Sequence, residues 1–185
     1  VLQSAGLFGC VYTGAVVKNL TVEGELQAGK YAGGITAVLA GGTIQNCVNR
    51  VAITLKEGVT DGYAIGGITG YLYNYTDKSS HIVGCRNEAA IDIGAYGRNI
   101  GGIVGSVGLK NVVERCGNDA TVTGTEQVGG IAGANSFGNV YYCCNKGNVG
   151  GTNAKYVGGV IGEVQNYAEV LACYNTGSVT GSDYL

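Results

Sequence analysis

Seven cysteines are the residues of this chain best suited to chemistry, and five of them recur in one phrase. The phrase reads apolar-x-x-Cys-x-Asn, and its cysteines lie 27 to 38 residues apart. Thiols repeated in this way suggest a metal site or a redox ladder, because the thiolate is both a metal ligand and a redox group. The five cysteines are Cys47, Cys85, Cys116, Cys143 and Cys173.

A buried apolar column is the alternative to a metal or redox ladder, and the first copy of the phrase favours it. That copy reads "VKNLTV", with Leu20 in the place of cysteine. A metal-ligand position does not become leucine, whereas a core position readily does, since free cysteine behaves as a small hydrophobe. The spacing does not match zinc ligands, and an odd number of cysteines excludes complete intrachain pairing. We therefore expect no metal, and we expect most of the thiols to be free, buried and unreactive.

The asparagine two residues after each cysteine forms a second column. An active-site role would need polar partners, and the repetition of the asparagine argues against such a role. Stacked side-chain amides bond one another and the turn backbone, and asparagine also tolerates the left-handed conformation of turns. We predict a structural ladder of Asn49, Asn87, Asn118, Asn145 and Asn175.

Residues suited to catalysis are sparse elsewhere. His81 is the only histidine, so any Ser-His-Asp or Cys-His site must use it. The five aspartates are scattered and form no Asp-x-Asp pair, although pectin-degrading enzymes use clustered aspartates. No Gly-Lys-Ser/Thr follows the glycine phrases, as a phosphate loop requires. We predict a non-enzymatic protein without cofactors, with a carbohydrate-active β-helix enzyme as the alternative.

Glycine and β-branched residues indicate the elements that position these columns. The chain has 35 glycines, no proline, 45% hydrophobic and 13% charged residues, and a net charge of −2. Such a density of glycine among valine and isoleucine favours short strands separated by turns. The small negative charge disfavours nucleic acid as a partner, and the lack of an 18-residue apolar run disfavours insertion into a membrane.

The phrase Gly-apolar-x-Gly recurs every 28 to 35 residues ahead of the Cys-x-Asn phrases, with a degenerate copy "GITA" at Gly34, and all copies but the first follow another glycine. A third phrase, of alternating small and apolar residues, follows each asparagine. A unit of three strand-like phrases cannot bury its apolar face alone, so the units must stack. We predict an all-β fold, a right-handed parallel β-helix of about six rungs, each of roughly 28–35 residues with three short strands. Residues 1–185 then form a single repeat domain, which we expect to be a segment of a longer array or a subunit that associates end to end into a fibre.

The phrases "GGIVG", "C-x-N" and "VTG" together resemble the GLUG repeat, a short glycine-rich repeat of bacterial cell-surface proteins. The resemblance covers nearly the whole chain in six copies. It implies a β-helical repeat region like those of adhesin-like proteins and of the non-catalytic parts of secreted peptidases, including immunoglobulin A proteases. From this resemblance we expect a structural or adhesion module that is extracellular or at the cell surface.

Two insertions mark a candidate binding surface, because insertions in solenoids form surface loops that often bind ligands. The first is "LKEGVTDGYAI" at 55–65, and the second is "YLYNYTDKSSH" at 71–81. Alternating tyrosines in the second would share one side of an extended segment. Such a patch suits a host glycan or protein, whereas tyrosines packed on the rod are the structural alternative. The candidate residues are Tyr63, Tyr71, Tyr73, Tyr75, Asp77, Lys78 and His81.

Overall fold

The computed structural model describes residues 4–74 and 77–184, and these residues form a stack of six turns of chain. Strands at equivalent places in successive turns pair in parallel, so the sheets run along the stack. The described residues contain no α-helix, and the 3-10 turn Gly94–Tyr96 is their one helical element. The predicted all-β parallel solenoid of about six turns is confirmed, and the right-handed sense of the coil stays a prediction.

The strands of the described residues fall into four sheets, and every turn contributes to each sheet. The first sheet contains Ser4–Ala5, Tyr31–Gly33, Gly62–Gly66, Gly97–Gly101, Glu126–Gly129 and Lys155–Gly158. The second contains Phe8–Tyr12, Thr36–Ala40, Thr69–Tyr73, Val104–Val107, Ala132–Ser136 and Ile161–Gln165. The third contains Val16–Lys18, Thr43–Gln45, His81–Val83, Val112–Glu114, Asn139–Tyr141 and Glu169–Leu171. The fourth contains Thr21–Ala28, Val48–Leu55, Arg86–Asn87, Ile91–Asp92, Gly117–Asn118, Val122–Thr123, Cys144–Asn145, Val149–Gly150, Tyr174–Asn175 and Val179–Thr180.

Each turn has four sides, where the sequence predicted three strands. In the second turn, Gly33 ends a first-sheet strand and Thr36 begins a second-sheet strand, so the Gly-Gly phrase is a corner. The Cys-x-Asn phrase also spans a corner, between Gln45 on the third sheet and Val48 on the fourth. The recurring phrases therefore mark the places where the chain bends, because a bend restricts residue type more tightly than a strand position does.

The strand register stacks the asparagines directly on one another. Asn49 pairs with Asn87, and the pairing continues through Asn118 and Asn145 to Asn175. In the first turn, Val22 occupies this position of the column.

A buried ladder of hydrogen bonds joins the asparagine side chains. Nδ2 of each amide donates to Oδ1 of the next asparagine at 2.7 Å, from Asn49 through to Asn175. The same Nδ2 donates to the carbonyl two residues further along its own turn, at 2.7 to 3.1 Å. The four asparagines from Asn49 to Asn145 are fully buried, and there an unpaired amide would be costly. Stacking thus satisfies these polar groups within the protein.

The left-handed corner position is the residue before each cysteine, or before Leu20 in the first turn, and the asparagines of the ladder do not adopt that conformation. Sequence reasoning missed this column because its members share no residue type. Outside glycine, a left-handed residue costs roughly 1 kcal/mol or more, so the packed corner between the third and fourth sheets enforces the conformation. The column and its φ angles are Asn19 (57°), Asn46 (52°), Gly84 (63°), Arg115 (52°), Tyr142 (54°) and Ala172 (51°).

The interior consists of two apolar clusters that meet at the asparagine ladder. One cluster includes Leu39 and Ile44, and the other includes Ile53 and Ile65. Val22 packs against both clusters, and it holds the first-turn position of the ladder. The ladder is therefore a polar seam through an otherwise apolar core.

Both glycines of each Gly-Gly corner are required by close approach. A Cβ on Gly102 would lie 2.4 Å from Cγ of Asn118, in the same turn. A Cβ on Gly158 would lie 1.9 Å from the carbonyl oxygen of Ile161, and one on Gly159 would lie 2.5 Å from Cγ of Asn175. The φ angles of these glycines lie outside the left-handed region, so sterics and not backbone freedom explain them. The Gly-Gly and Cys-x-Asn phrases are thus structurally linked, because the second glycine of the Gly-Gly corner leaves room for the side-chain amide of the ladder asparagine.

Candidate functional site

The cysteine column lies inside the coil. Cys47, Cys85, Cys116 and Cys143 are at most 1% exposed, and all seven cysteines, each within the described residues, are free thiols. Sγ of Cys143 donates to the carbonyl of Tyr141 at 3.2 Å, and the backbone N–H of Cys143 donates to Sγ of the next cysteine in the column. Burial raises the pKa of the Cys116 thiol, so this group is a poor nucleophile.

Metal-ligating side chains are not clustered in the part of the chain that the structure describes. Residues 4–74 and 77–184 contain no group of three or more His, Cys, Asp or Glu placed to hold a metal ion.

Charged side chains on the fourth sheet pair with one another along the stack. Arg50 binds Glu23 at 3.0 Å and Glu88 at 2.8 Å. Arg86 approaches Glu88 at 3.6 Å and also pairs with Asp119. These side chains are partly to largely solvent-exposed, so the network contributes little to stability, and its two arginines offset most of the charge of its three carboxylates.

Tyrosines gather on the first and second sheets and form an aromatic cluster. Tyr63, Tyr71 and Tyr73, predicted as candidates, are joined by Tyr31, which sequence reasoning missed. The ring centroid of Tyr31 lies 5.9 Å from that of Tyr63 and 6.1 Å from that of Tyr71. The ring centroids of Tyr71 and Tyr73 lie 5.7 Å apart. The guanidinium of Arg98 lies 5.6 Å from the centroid of Tyr63, within cation–π range. The structure thus brings together tyrosines from two turns.

The remaining candidates do not share one element with these tyrosines. Asp77 and Lys78 lie in the connection that leads from the second sheet to the third. His81 begins a third-sheet strand, where it pairs with Thr43 and Val112. Tyr75 lies outside the described residues.

A groove of about 450 Å³ opens between the first and second sheets next to the tyrosines. The first sheet contributes the side chains of Tyr63, Arg98 and Glu126, and the second contributes those of Tyr71 and Ser106. Tyr71 is half-buried, and burial raises the pKa of its phenol, which therefore stays neutral and able to donate a hydrogen bond. The other lining residues are Asn99, Val107, Gly108, Gln127, Ala134, Ser136 and Gln165.

A second left-handed column runs along the first sheet, and two of its members, Asn99 and Gln127, line this groove. Ala64, Asn99, Gln127 and Tyr156 have φ angles of 52° to 55° in the middle of consecutive first-sheet strands. Glycines of the second sheet pack against this column, since a Cβ on Gly133 would lie 2.3 Å from the backbone of Asn99. The column therefore brings the two sheets close together at a position where each turn supplies a different side chain.

Asn99 is the unusual member of this column. It is only 4% exposed, and its Oδ1 is buried with no hydrogen-bond partner among the described residues. Gln127, one turn on, donates from Nε2 to Oε2 of Glu163. A buried amide oxygen without a partner is uncommon, because the loss of a hydrogen bond to water is normally compensated within the protein.

A second groove, of about 560 Å³, lies on the other side of Arg98 and Glu126. Tyr96, Asp61 and Lys155 are among its lining residues. Arg98 and Glu126 approach each other at 3.9 Å and form the ridge between the two grooves. The outer face of the first sheet is therefore grooved and polar along three turns.

The described chain contains no helix that is both long and apolar enough to span a lipid bilayer.

Comparison with known families matches one segment of the chain. The model of the GLUG motif matches residues 153–180, which are the sixth turn up to the end of its last strand. Residues 153–180 are therefore similar to the GLUG motif. The preceding turns carry the same Gly-Gly corner or a close variant of it, stacked in register on this motif. The chain therefore fits a GLUG-repeat β-helical region. No curated protein and no solved structure matches the chain.

Proposed function

We propose that this GLUG-repeat β-helix is a non-enzymatic structural and adhesion module of a bacterial surface or secreted protein. Its rod would hold a binding face, formed by the first and second sheets, toward a host glycan or protein.

One observation carries this proposal. The residues that define the repeat make their contacts in the interior: the asparagine side chains hydrogen-bond one another, and the glycines leave space for those side chains. The residues that differ from turn to turn line the outer grooves, as Tyr63, Arg98 and Glu126 do at equivalent first-sheet positions. A scaffold that repeats inside and varies outside is typical of solenoids that present extended binding surfaces.

Retention of coated beads tests the adhesion role. Beads carrying the 185-residue domain would be passed over epithelial cells, mucin and fibronectin, with uncoated beads as the reference. We expect retention on at least one of these surfaces and a loss of retention in Tyr73→Ser, which changes a 43% exposed ring of the tyrosine cluster. Tyr174→Ser is the matched control, because Tyr174 is 54% exposed but lies on the fourth sheet. Equal retention of coated and uncoated beads on every surface would refute the adhesion role.

A further inference from the structure

The groove between the first and second sheets has the features of a small-molecule site. Its volume of about 450 Å³ lies within the range of roughly 300–1,000 Å³ that is usual for ligand pockets. Its lining runs from Tyr63 in the third turn to Gln165 in the sixth, about 14 Å along the stack at the spacing of paired strands. An elongated chain molecule fits such a groove better than a compact one.

Hydroxyl and amide groups dominate the chemistry of this groove. Ser106, Ser136 and Gln127 offer both donors and acceptors, and Tyr71 adds a neutral phenol beside an aromatic ring. Rings with a polar edge suit ligands that alternate apolar C–H faces with hydroxyl groups.

Asn99 supplies a second observation that points to a ligand. Its Oδ1 has no partner within the described chain although the side chain lines the groove. Rotation of the carboxamide by 180° exchanges oxygen and nitrogen, so either group can meet a ligand in the groove. A hydroxyl group can donate to one and accept from the other.

The charges of the groove decide the class of ligand. Arg98 and Glu126 are the charged residues of its lining, and they pair with each other at 3.9 Å, so their formal charges cancel. An anionic polymer would meet Glu126, and a cationic one would meet Arg98. We propose that the groove binds a neutral oligosaccharide, with the Asn99 amide as a central hydrogen-bonding group. This inference deepens the proposed adhesion function by naming its ligand class.

Titration with defined sugars tests the proposal. Amide ¹H–¹⁵N spectra of the 185-residue protein would be recorded with cellohexaose, xylohexaose, mannohexaose and N-acetylchitohexaose, and with hexagalacturonate as the anionic comparison. We expect at least one neutral sugar to shift the amides of Ser106, Gln127 and Ser136. Asn99→Gly should weaken that binding about tenfold, which corresponds to about 1.4 kcal/mol.

Glycine at position 99 removes the amide without straining the fold, because glycine adopts the left-handed conformation freely. Asn46→Gly is the matched control: it makes the same change at a left-handed position, φ 52°, in the column that precedes the cysteines. It should leave sugar binding unchanged.

Three results would overturn the proposal: no shift with any neutral sugar, a response to hexagalacturonate alone, or equal affinity of Asn99→Gly and the parent protein. Bead retention on fibronectin without any sugar response would leave the adhesion function standing and refute the saccharide site. A sugar response without bead retention would do the reverse.

Discussion

Replacing Asn118 with valine isolates the contribution of the asparagine ladder. Valine fits the column, because Val22 holds the same position in the first turn, so the change leaves little cavity. It removes three hydrogen bonds: to Oδ1 of Asn145 at 2.7 Å, to the carbonyl of Ala120 at 2.8 Å, and from Nδ2 of Asn87 at 2.7 Å. At about 1 kcal/mol for each bond, the free energy of unfolding should fall by about 3 kcal/mol.

Thermal and urea denaturation followed by circular dichroism measure this change. For a domain of this size, about 3 kcal/mol corresponds to a melting temperature lowered by roughly 6–12 °C. Asn139→Val is the matched control, since Asn139 is a half-buried strand residue of the third sheet that lies outside the ladder. A loss below about 1 kcal/mol in Asn118→Val, or a loss equal to that of the control, would refute the view that the ladder stabilises the core.

Three further predictions concern the corner, the surface charges and the thiols. Gly158→Val should destabilise the protein by about 3 kcal/mol, because its Cβ would lie 1.9 Å from a carbonyl oxygen; an unchanged melting temperature would contradict the corner geometry. Arg86→Ala should cost less than about 1 kcal/mol, and the cost should vanish in concentrated salt; a large, salt-independent loss in urea denaturation would show that the exposed network is misjudged. Titration of native protein with an aromatic disulfide should modify only the partly exposed Cys10, Cys144 and Cys173 quickly; five or more fast thiols would show that the column is accessible.

Repetition made the solenoid predictable from the sequence. The Gly-Gly corner and the Cys-x-Asn phrase recur because each turn meets the same neighbours, and the column of Leu20 and five cysteines therefore indicated a core position. The number of sides was wrong, because strand-like phrases and corner phrases have the same composition of glycine and β-branched residues. Residues such as Gly33 and Gln45 end strands only because the chain bends there.

The candidate site was only partly predictable. The tyrosines of the insertions were visible as a departure from the repeat, but Tyr31, Arg98 and Asn99 lie within regular turns. A signal for them does exist: the two residues that precede apolar-Gly-Gly read Lys-Tyr, Tyr-Ala, Arg-Asn, Glu-Gln and Lys-Tyr in the second to sixth turns. The first residue of each pair from the third turn onward, Tyr63, Arg98, Glu126 and Lys155, is at least partly exposed, and variation at such an outward position is typical of a binding surface.

The sequence by itself determined that the turns stack, the length of each turn and the residues that join one turn to the next. These features depend on contacts between adjacent turns, and the same contacts recur along the stack. Only the tertiary structure decided which outward residues meet across the first and second sheets. It also decided which residues are left-handed, because Ala64, Asn99, Gln127 and Tyr156 share no chemical property and are forced into that conformation by the glycines packed against them. The role of the Gly-Gly phrases also became clear only from the folded chain. The second glycine leaves room for an asparagine side chain that lies about 16 residues further along the same turn.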